Sequence, residues 1–316
     1  MAGQEMAVEI HGLRKSFKEK EVLKGLDLTV PKGRIFALLG QNGAGKTTMV
    51  KILSTLLKFD SGHVTVLSHE LPKECDSVRS KISMTGQYVA LDEDLTGEQN
   101  LILIARLLGY NDVQAKGRAY ELLDMFDLSG AKKKTVKTYS GGMHRRLDIA
   151  ASIIKTPELL FLDEPTTGLD PRSRSVVWDF VRQLAKSGTT IFLTTQYLEE
   201  ADRLADLIAV VEDGKIVAKG TPTELKNLVG RKTIRIRFQD TAERDNARKL
   251  INKIIPEKND AEHEADLLSI EISGILQANS ILNELVNSKI EPIEYSISQA
   301  SLDEVFLTFT GGKTNE

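Results

Sequence analysis

Residues 40–48 read Gly-Gln-Asn-Gly-Ala-Gly-Lys-Thr-Thr, a run of glycines closed by a lysine and two hydroxyls that suits phosphate chemistry. Gly40, Gly43 and Gly45 let successive backbone N–H groups turn inward around phosphate oxygens, with Asn42 and Ala44 carried in the same turn. Lys46 reaches the outer phosphates of a nucleoside triphosphate. Thr47 offers a hydroxyl to a magnesium ion, and Thr48 stands beside it where a helix begins with its positive end toward the same anion.

Two carboxylates, Asp163 and Glu164, follow the apolar run Leu159-Leu160-Phe161-Leu162. They leave the end of a buried strand, where ligands of open α/β sheets gather. Asp163 can hold magnesium through water, and Glu164, one residue on, is placed to polarise the water that attacks a γ-phosphate. With the glycine-rich loop, these residues define a P-loop ATPase. Tyr139-Ser140-Gly141-Gly142-Met143 heads a helix shortly before them. Ser140 and the N–H groups of Gly141 and Gly142 form a second anion-binding helix start, suited to a γ-phosphate.

The elements that must position these groups follow from patterning. Val8 to about Gly40 is strand-like, and Ile35-Phe36-Ala37-Leu38-Leu39 is continuously apolar, as in a strand buried on both faces. It feeds the glycine-rich loop, and a helix is expected from Met49 to Leu57. Gly97 to about Lys137 reads as helices, with apolar spacing through Leu101, Ile104, Leu107 and Leu108 and then Leu122, Leu123 and Phe126. Two more buried strands, Leu159 to Leu162 and Thr190 to Leu193, flank a helix from Arg174 to Lys186, so a mostly parallel sheet is expected. Beyond residue 230 the composition shifts to strands near Thr233, Leu267 and Glu294, alternating with helices around Glu243 to Ile254 and Leu276 to Asn287.

The expected fold is therefore α/β: a P-loop domain over residues 1–229 with a helical subdomain at about 88–137, then a small C-terminal α+β domain over 230–316. Over 316 residues the formal net charge is −3, which gives no reason to expect nucleic acid as a partner. Lys132-Lys133-Lys134 reads as solvated surface. Cys75 is the sole cysteine, which excludes an internal disulfide and suits a reducing compartment. Met1 to Gly12 lacks the apolar core of a secretory signal, and Leu101 to Leu108, broken by Arg106, is far short of a membrane span. Glu262-His263-Glu264 reads as surface.

The order of these motifs resembles the ABC ATPase family over residues 8 to about 228. That resemblance implies ATP and Mg²⁺ as ligands and adds site residues. Phe17 matches the aromatic residue that stacks on adenine, Gln87 the glutamine loop that touches metal and attacking water, and Gly168-Leu169-Asp170 the aspartate loop. It further implies a head-to-tail pair of identical chains, in which Ser140 of one copy meets the ATP held by Lys46 of the other. Tyr139 and Met143 stand where the family more commonly has Leu and Gln. Gln196 stands where most members carry a switch histidine; glutamine can donate to a γ-phosphate but cannot carry a proton near neutral pH.

The run Thr194 to Asp202 and the closing Ser301-Leu302-Asp303-Glu304-Val305-Phe306-Leu307 are similar to the daunorubicin-resistance branch of that family. The implied role is the ATP-hydrolysing subunit of an exporter for a drug, antibiotic or lipid-like molecule, on the cytoplasmic face of the cell membrane beneath a separate ABC-2 type permease. A soluble ABC ATPase acting on ribosome or nucleic acid is the alternative. The C-terminal domain is expected to regulate or stabilise the dimer.

Overall fold

The computed structural model describes residues 5–85, 91–229, 232–254, 266–298 and 301–309. Two long strands, β1 (Met6–Phe17) and β2 (Lys20–Pro31), pair antiparallel. Then come β3 (Ile35–Leu39), α1 (Lys46–Leu53), β4 (Ser61–Val66), β5 (His69–Leu71), α2 (Cys75–Arg79) and β6 (Ile82–Thr85). The helical stretch contributes α3 (Gly97–Leu107), α4 (Asp112–Met125) and α5 (Gly141–Ser152). Strand and helix alternate again through β7 (Leu159–Asp163), α6 (Pro171–Lys186), β8 (Thr190–Thr195), α7 (Leu198–Leu204), β9 (Leu207–Glu212) and β10 (Lys215–Gly220).

These strands form two sheets. A six-stranded sheet runs β10-β9-β3-β8-β7-β6, and a four-stranded sheet runs β2-β1-β4-β5. In the larger sheet every pairing is parallel except β9 with β10. The expectation of a mostly parallel sheet thus holds for that layer, while the amino-terminal strands make a separate antiparallel one. Every residue of β3, β7 and β8 is buried, the reason these strands read as unbroken apolar runs. Phe192 packs on Phe36 and Phe161, with ring centroids 5.0 and 5.6 Å apart. Register sets Leu39 level with Thr195 and Thr194 level with Asp163. The chain therefore leaves three adjacent strands at one sheet edge, at Gly40, Glu164 and Gln196.

Helix α1 stops at Leu53 and does not reach Leu57 as expected. Thr55 takes a left-handed φ of 67°, and the N–H groups of Leu56 and Leu57 turn back to the Lys51 carbonyl. Helices α3 and α4 each begin with a reciprocal capping box, Thr96 with Gln99 and Asn111 with Gln114, each worth about 1 kcal/mol. The apolar spacing along α3 is only partly buried: Leu101 is covered, but Leu107 is 78% and Leu108 49% exposed.

The chain divides into two compact units between Pro222 and Thr223. The expected boundary at 229/230 left α8 (Pro222–Val229) in the first domain, whereas all but its first residue belongs to the second unit. That unit continues with β11 (Lys232–Arg237), α9 (Thr241–Ile254), β12 (Leu267–Ile272), α10 (Ile275–Asn287), β13 (Glu294–Ser298) and α11 (Leu302–Phe309). Its sheet, ordered β12-β11-β13, is antiparallel. Ile234, Ile236, Phe238, Leu268, Ile270 and Ile272 pack there with Ala247, Ile251, Ile281 and Leu285 of the two helices. The Glu262-His263-Glu264 stretch lies outside the described residues. Among the described residues no helix is long and apolar enough to cross a membrane.

Candidate nucleotide site

The glycine-rich loop links β3 to α1. Gly45, which precedes α1, has a φ of 104°, and a Cβ there would sit 2.7 Å from Leu23 Cδ2, so only glycine fits. No side chain caps α1 and its first turn holds no acidic residue, which leaves the positive helix end suited to an anion. Buried Lys46 donates from Nζ to the carbonyls of Gly40 (2.8 Å) and Gln41 (3.1 Å) and lies 3.4 Å from Glu164 Oε1. A cleft of about 310 Å³ opens here, lined by Phe17, Lys20 and Val22 together with Asn42, Gly43, Gly45 to Thr48 and Glu164. Phe17 is 46% exposed with the Lys15 ammonium 5.5 Å from its ring centroid, so a face is available for stacking.

Asp163 is buried at the end of β7, where the Thr194 hydroxyl donates to its Oδ1. Glu164 takes a left-handed φ of 48°, a conformation that costs a non-glycine residue about 1–3 kcal/mol. Its N–H donates to the Thr194 carbonyl at 3.1 Å, and the Thr167 hydroxyl donates to Oε2 at 3.3 Å. Arg145 of α5 holds this turn from behind: Nη2 donates to the Asp163 carbonyl and Nε to the Pro165 carbonyl, both at 3.1 Å. Burial of that guanidinium lowers its pKa, and Asp148, Asp163 and Glu200 oppose the shift.

The hydroxyl of Thr47 and the carboxylate of Asp163 are hard oxygen donors of the kind magnesium takes. Among the described residues no three or more His, Cys, Asp or Glu side chains cluster to hold a metal. Two such donors beside a phosphate-binding loop fit an ion shared with substrate phosphates.

Gln196 follows Thr195, whose carbonyl accepts from the Gly40 N–H at 3.3 Å, so Gln196 starts beside the phosphate loop. Asp170 caps α6, accepting from Ser173 Oγ (2.6 Å) and Ser173 N (3.0 Å), and these bonds lower its pKa. A Cβ on Gly142 would lie 2.6 Å from Ser173 Oγ, so the aspartate loop and the serine-glycine turn touch within one chain. Ser140 caps α5, with Oγ accepting from the Met143 N–H at 3.3 Å. Ser140 and Gly141 are exposed, and no residue of this turn lines the Lys46 cleft. Gln87 lies outside the described residues.

The Lys46 cleft thus gathers Phe17, the loop residues and Glu164, and Asp163 is fixed one residue before Glu164. Ser140, Gly141, Gly142 and Asp170 form a second cluster. Arg145, Thr194 and Glu200 escaped the sequence reading. Glu200 is fully buried; its Oε1 accepts from Thr166 Oγ1 (2.8 Å) and Trp178 Nε1 (3.1 Å), and burial raises its pKa. Residue type does not set Arg145 apart from Arg146, or Glu200 from Glu199; only the helix face each takes separates them.

A family model described as ABC transporter matches residues 23–167, and one for the C-terminal domain of DrrA1-3-like ATP-binding proteins matches 220–310. The daunorubicin/doxorubicin resistance ATP-binding protein DrrA of Streptomyces peucetius is 49% identical over 305 residues, covering 96% of this chain and 92% of that protein. The doxorubicin resistance ATP-binding protein DrrA of Mycobacterium tuberculosis is 42% identical over 319 residues, covering 99% and 96%. A solved ATP-binding subunit of an ABC transporter superposes with a TM-score of 0.63 at 27% identity, over 71% of this chain and 93% of that one. With a phosphate loop, a paired carboxylate and a serine-glycine turn arranged as described, and relatives this similar along nearly its whole length, the chain belongs to the DrrA-like branch of the ABC transporter ATP-binding proteins.

Proposed function

We propose that the chain hydrolyses ATP as one half of a head-to-tail pair beneath an ABC-2 type permease, on the cytoplasmic face of the membrane, and drives export of a drug-like, antibiotic or lipid-like molecule. The relatives' names, which are those of drug-resistance proteins, support the class of cargo. Residues 23–167 and the C-terminal match support a transporter subunit over an ATPase acting on ribosome or nucleic acid.

In this reading Phe17 stacks on adenine, the amides of residues 40–48 surround the phosphates, and Lys46 neutralises the outer ones. Magnesium, which Thr47 and Asp163 would hold and to which the family resemblance adds Gln87, would neutralise charge on the outer phosphates. Glu164 orients and deprotonates the attacking water, and Gln196 donates to the γ-phosphate. Ser140, Gly141 and Gly142 of the second copy close the site, and Asp170 sits at the seam. The carrying observation is that Ser140 and its glycines do not line the Lys46 cleft, which supports a reading in which a second copy supplies them. The exposed Leu107 and Leu108 at the carboxyl end of α3 suit a permease contact. The C-terminal unit, proposed as a separate domain, regulates or stabilises the pair.

Glu164→Gln keeps the shape and removes the base. It should bind ATP, form a stable dimer on a sizing column and lose turnover. Hydrolysis at the parent rate would remove Glu164 as the base.

A further inference from the structure

Tyr139 is the residue immediately before Ser140, and its phenol reaches the amino terminus of α3. The phenol oxygen donates to the Ala131 carbonyl at 3.0 Å, and the same oxygen lies against Gly97, the first residue of α3. The Tyr139 N–H closes the preceding turn on the Val136 carbonyl at 2.9 Å. One side chain thus ties the start of α5 to the first residue of α3 and to the turn that follows α4.

Gly97 is fitted to that ring. A Cβ on Gly97 would lie 2.3 Å from Tyr139 Oη and 3.2 Å from Cζ, well inside van der Waals contact. The Gly97 backbone does not demand glycine, since its φ is not among the positive ones. Alanine at a helical position is ordinarily better than glycine, so the absence of a side chain is explained by the tyrosine and not by the helix. The hydrogen bond to Ala131 keeps the ring from swinging aside cheaply.

We infer that Tyr139 is a positioning residue for Ser140, locked by its phenol oxygen between Gly97 and Ala131, and that Gly97 is small in order to admit it. The serine-glycine turn then moves with α3 as one piece, so any displacement of α3 is transmitted to the residue that meets the partner copy's nucleotide. This rests on the proposed role of Ser140, and the experiment separates the two.

Steady-state ATPase and ATP-dependent dimerisation would be measured on the full chain for Ser140→Ala, Gly97→Ala, Tyr139→Phe, Tyr139→Leu and the double variant Gly97→Ala/Tyr139→Leu. Gly97→Ala should lower kcat roughly tenfold or more while KM changes less than about threefold. Tyr139→Phe, which keeps the ring and removes its hydrogen bond, should lower kcat about threefold. The double variant should match Tyr139→Leu within about twofold and exceed Gly97→Ala, a reversal that a merely destabilising alanine would not produce. Parent-like kcat in Gly97→Ala, or a double variant no better than Gly97→Ala, overturns the inference. If Gly97→Ala does not fold, folding of the double variant supports it and failure of both overturns it. If Ser140→Ala is fully active, the role of Ser140 itself falls, whatever the other variants do.

Discussion

The Lys46 ammonium lies 3.4 Å from Glu164 Oε1 while bonding to the carbonyls of Gly40 and Gln41. The cation that would bind outer phosphates and the carboxylate that would activate water share one cleft. Replacing Lys46 by Ala should therefore weaken ATP binding and lower kcat/KM by about a hundredfold or more. Titration with a fluorescent ATP analogue checks the first effect. Glu164→Gln differs in keeping its affinity, so the two variants separate binding from turnover.

Gln196 acts in this account as a neutral hydrogen-bond donor. Gln196→His keeps a donor and should retain turnover within about tenfold. Gln196→Glu places an acceptor-only anion beside the γ-phosphate and should lose about a hundredfold in kcat. Equal rates for the two variants would rule out a donor role.

Glu200, fully buried, accepts from Thr166 and Trp178. Glu200→Ala strands both donors and should cost about 2–4 kcal/mol in a denaturant melt. Glu200→Gln keeps the acceptor oxygen and should cost less than about 1 kcal/mol. Trp178 fluorescence reports the local change directly.

Asp148 of α5 has its pKa raised to about 6, chiefly by burial, with His144 and Arg145 opposing. Because the folded-state value lies above that of an ordinary aspartate, the protonated group favours folding at low pH, and this contribution is lost as pH rises from the usual carboxylate range toward about 6. Asp148→Asn should flatten the stability–pH curve in that window. Chemical melts between about pH 4 and 7 test it; an unchanged slope contradicts the assignment.

Much of the fold was legible because it rests on local pattern. The apolar runs ending at Leu39, Leu162 and Thr195 mark strands covered on both faces, and a lysine after paired glycines identifies the loop they carry. The end of α1 was misjudged because Leu56 and Leu57 continue its apolar character, while the left-handed turn at Thr55 is a backbone event with no strong residue signal. Leu107 and Leu108 fit a buried helical period yet stand exposed, since periodicity identifies an apolar face but not what covers it. Arg145 and Glu200 were invisible for a different reason: each acts through partners about twenty or more residues away, and only the packing of α5, α6 and α7 brings those together.

Ser140 of one molecule finishing the nucleotide site of another is tested most directly by mixing two inactive proteins, Lys46→Ala and Ser140→Ala, and measuring ATP hydrolysis. Each mixed pair would contain one site with an intact lysine and an intact partner serine, so activity should reappear on mixing. A mixture as silent as its components, with both proteins folded and able to pair, would contradict the account.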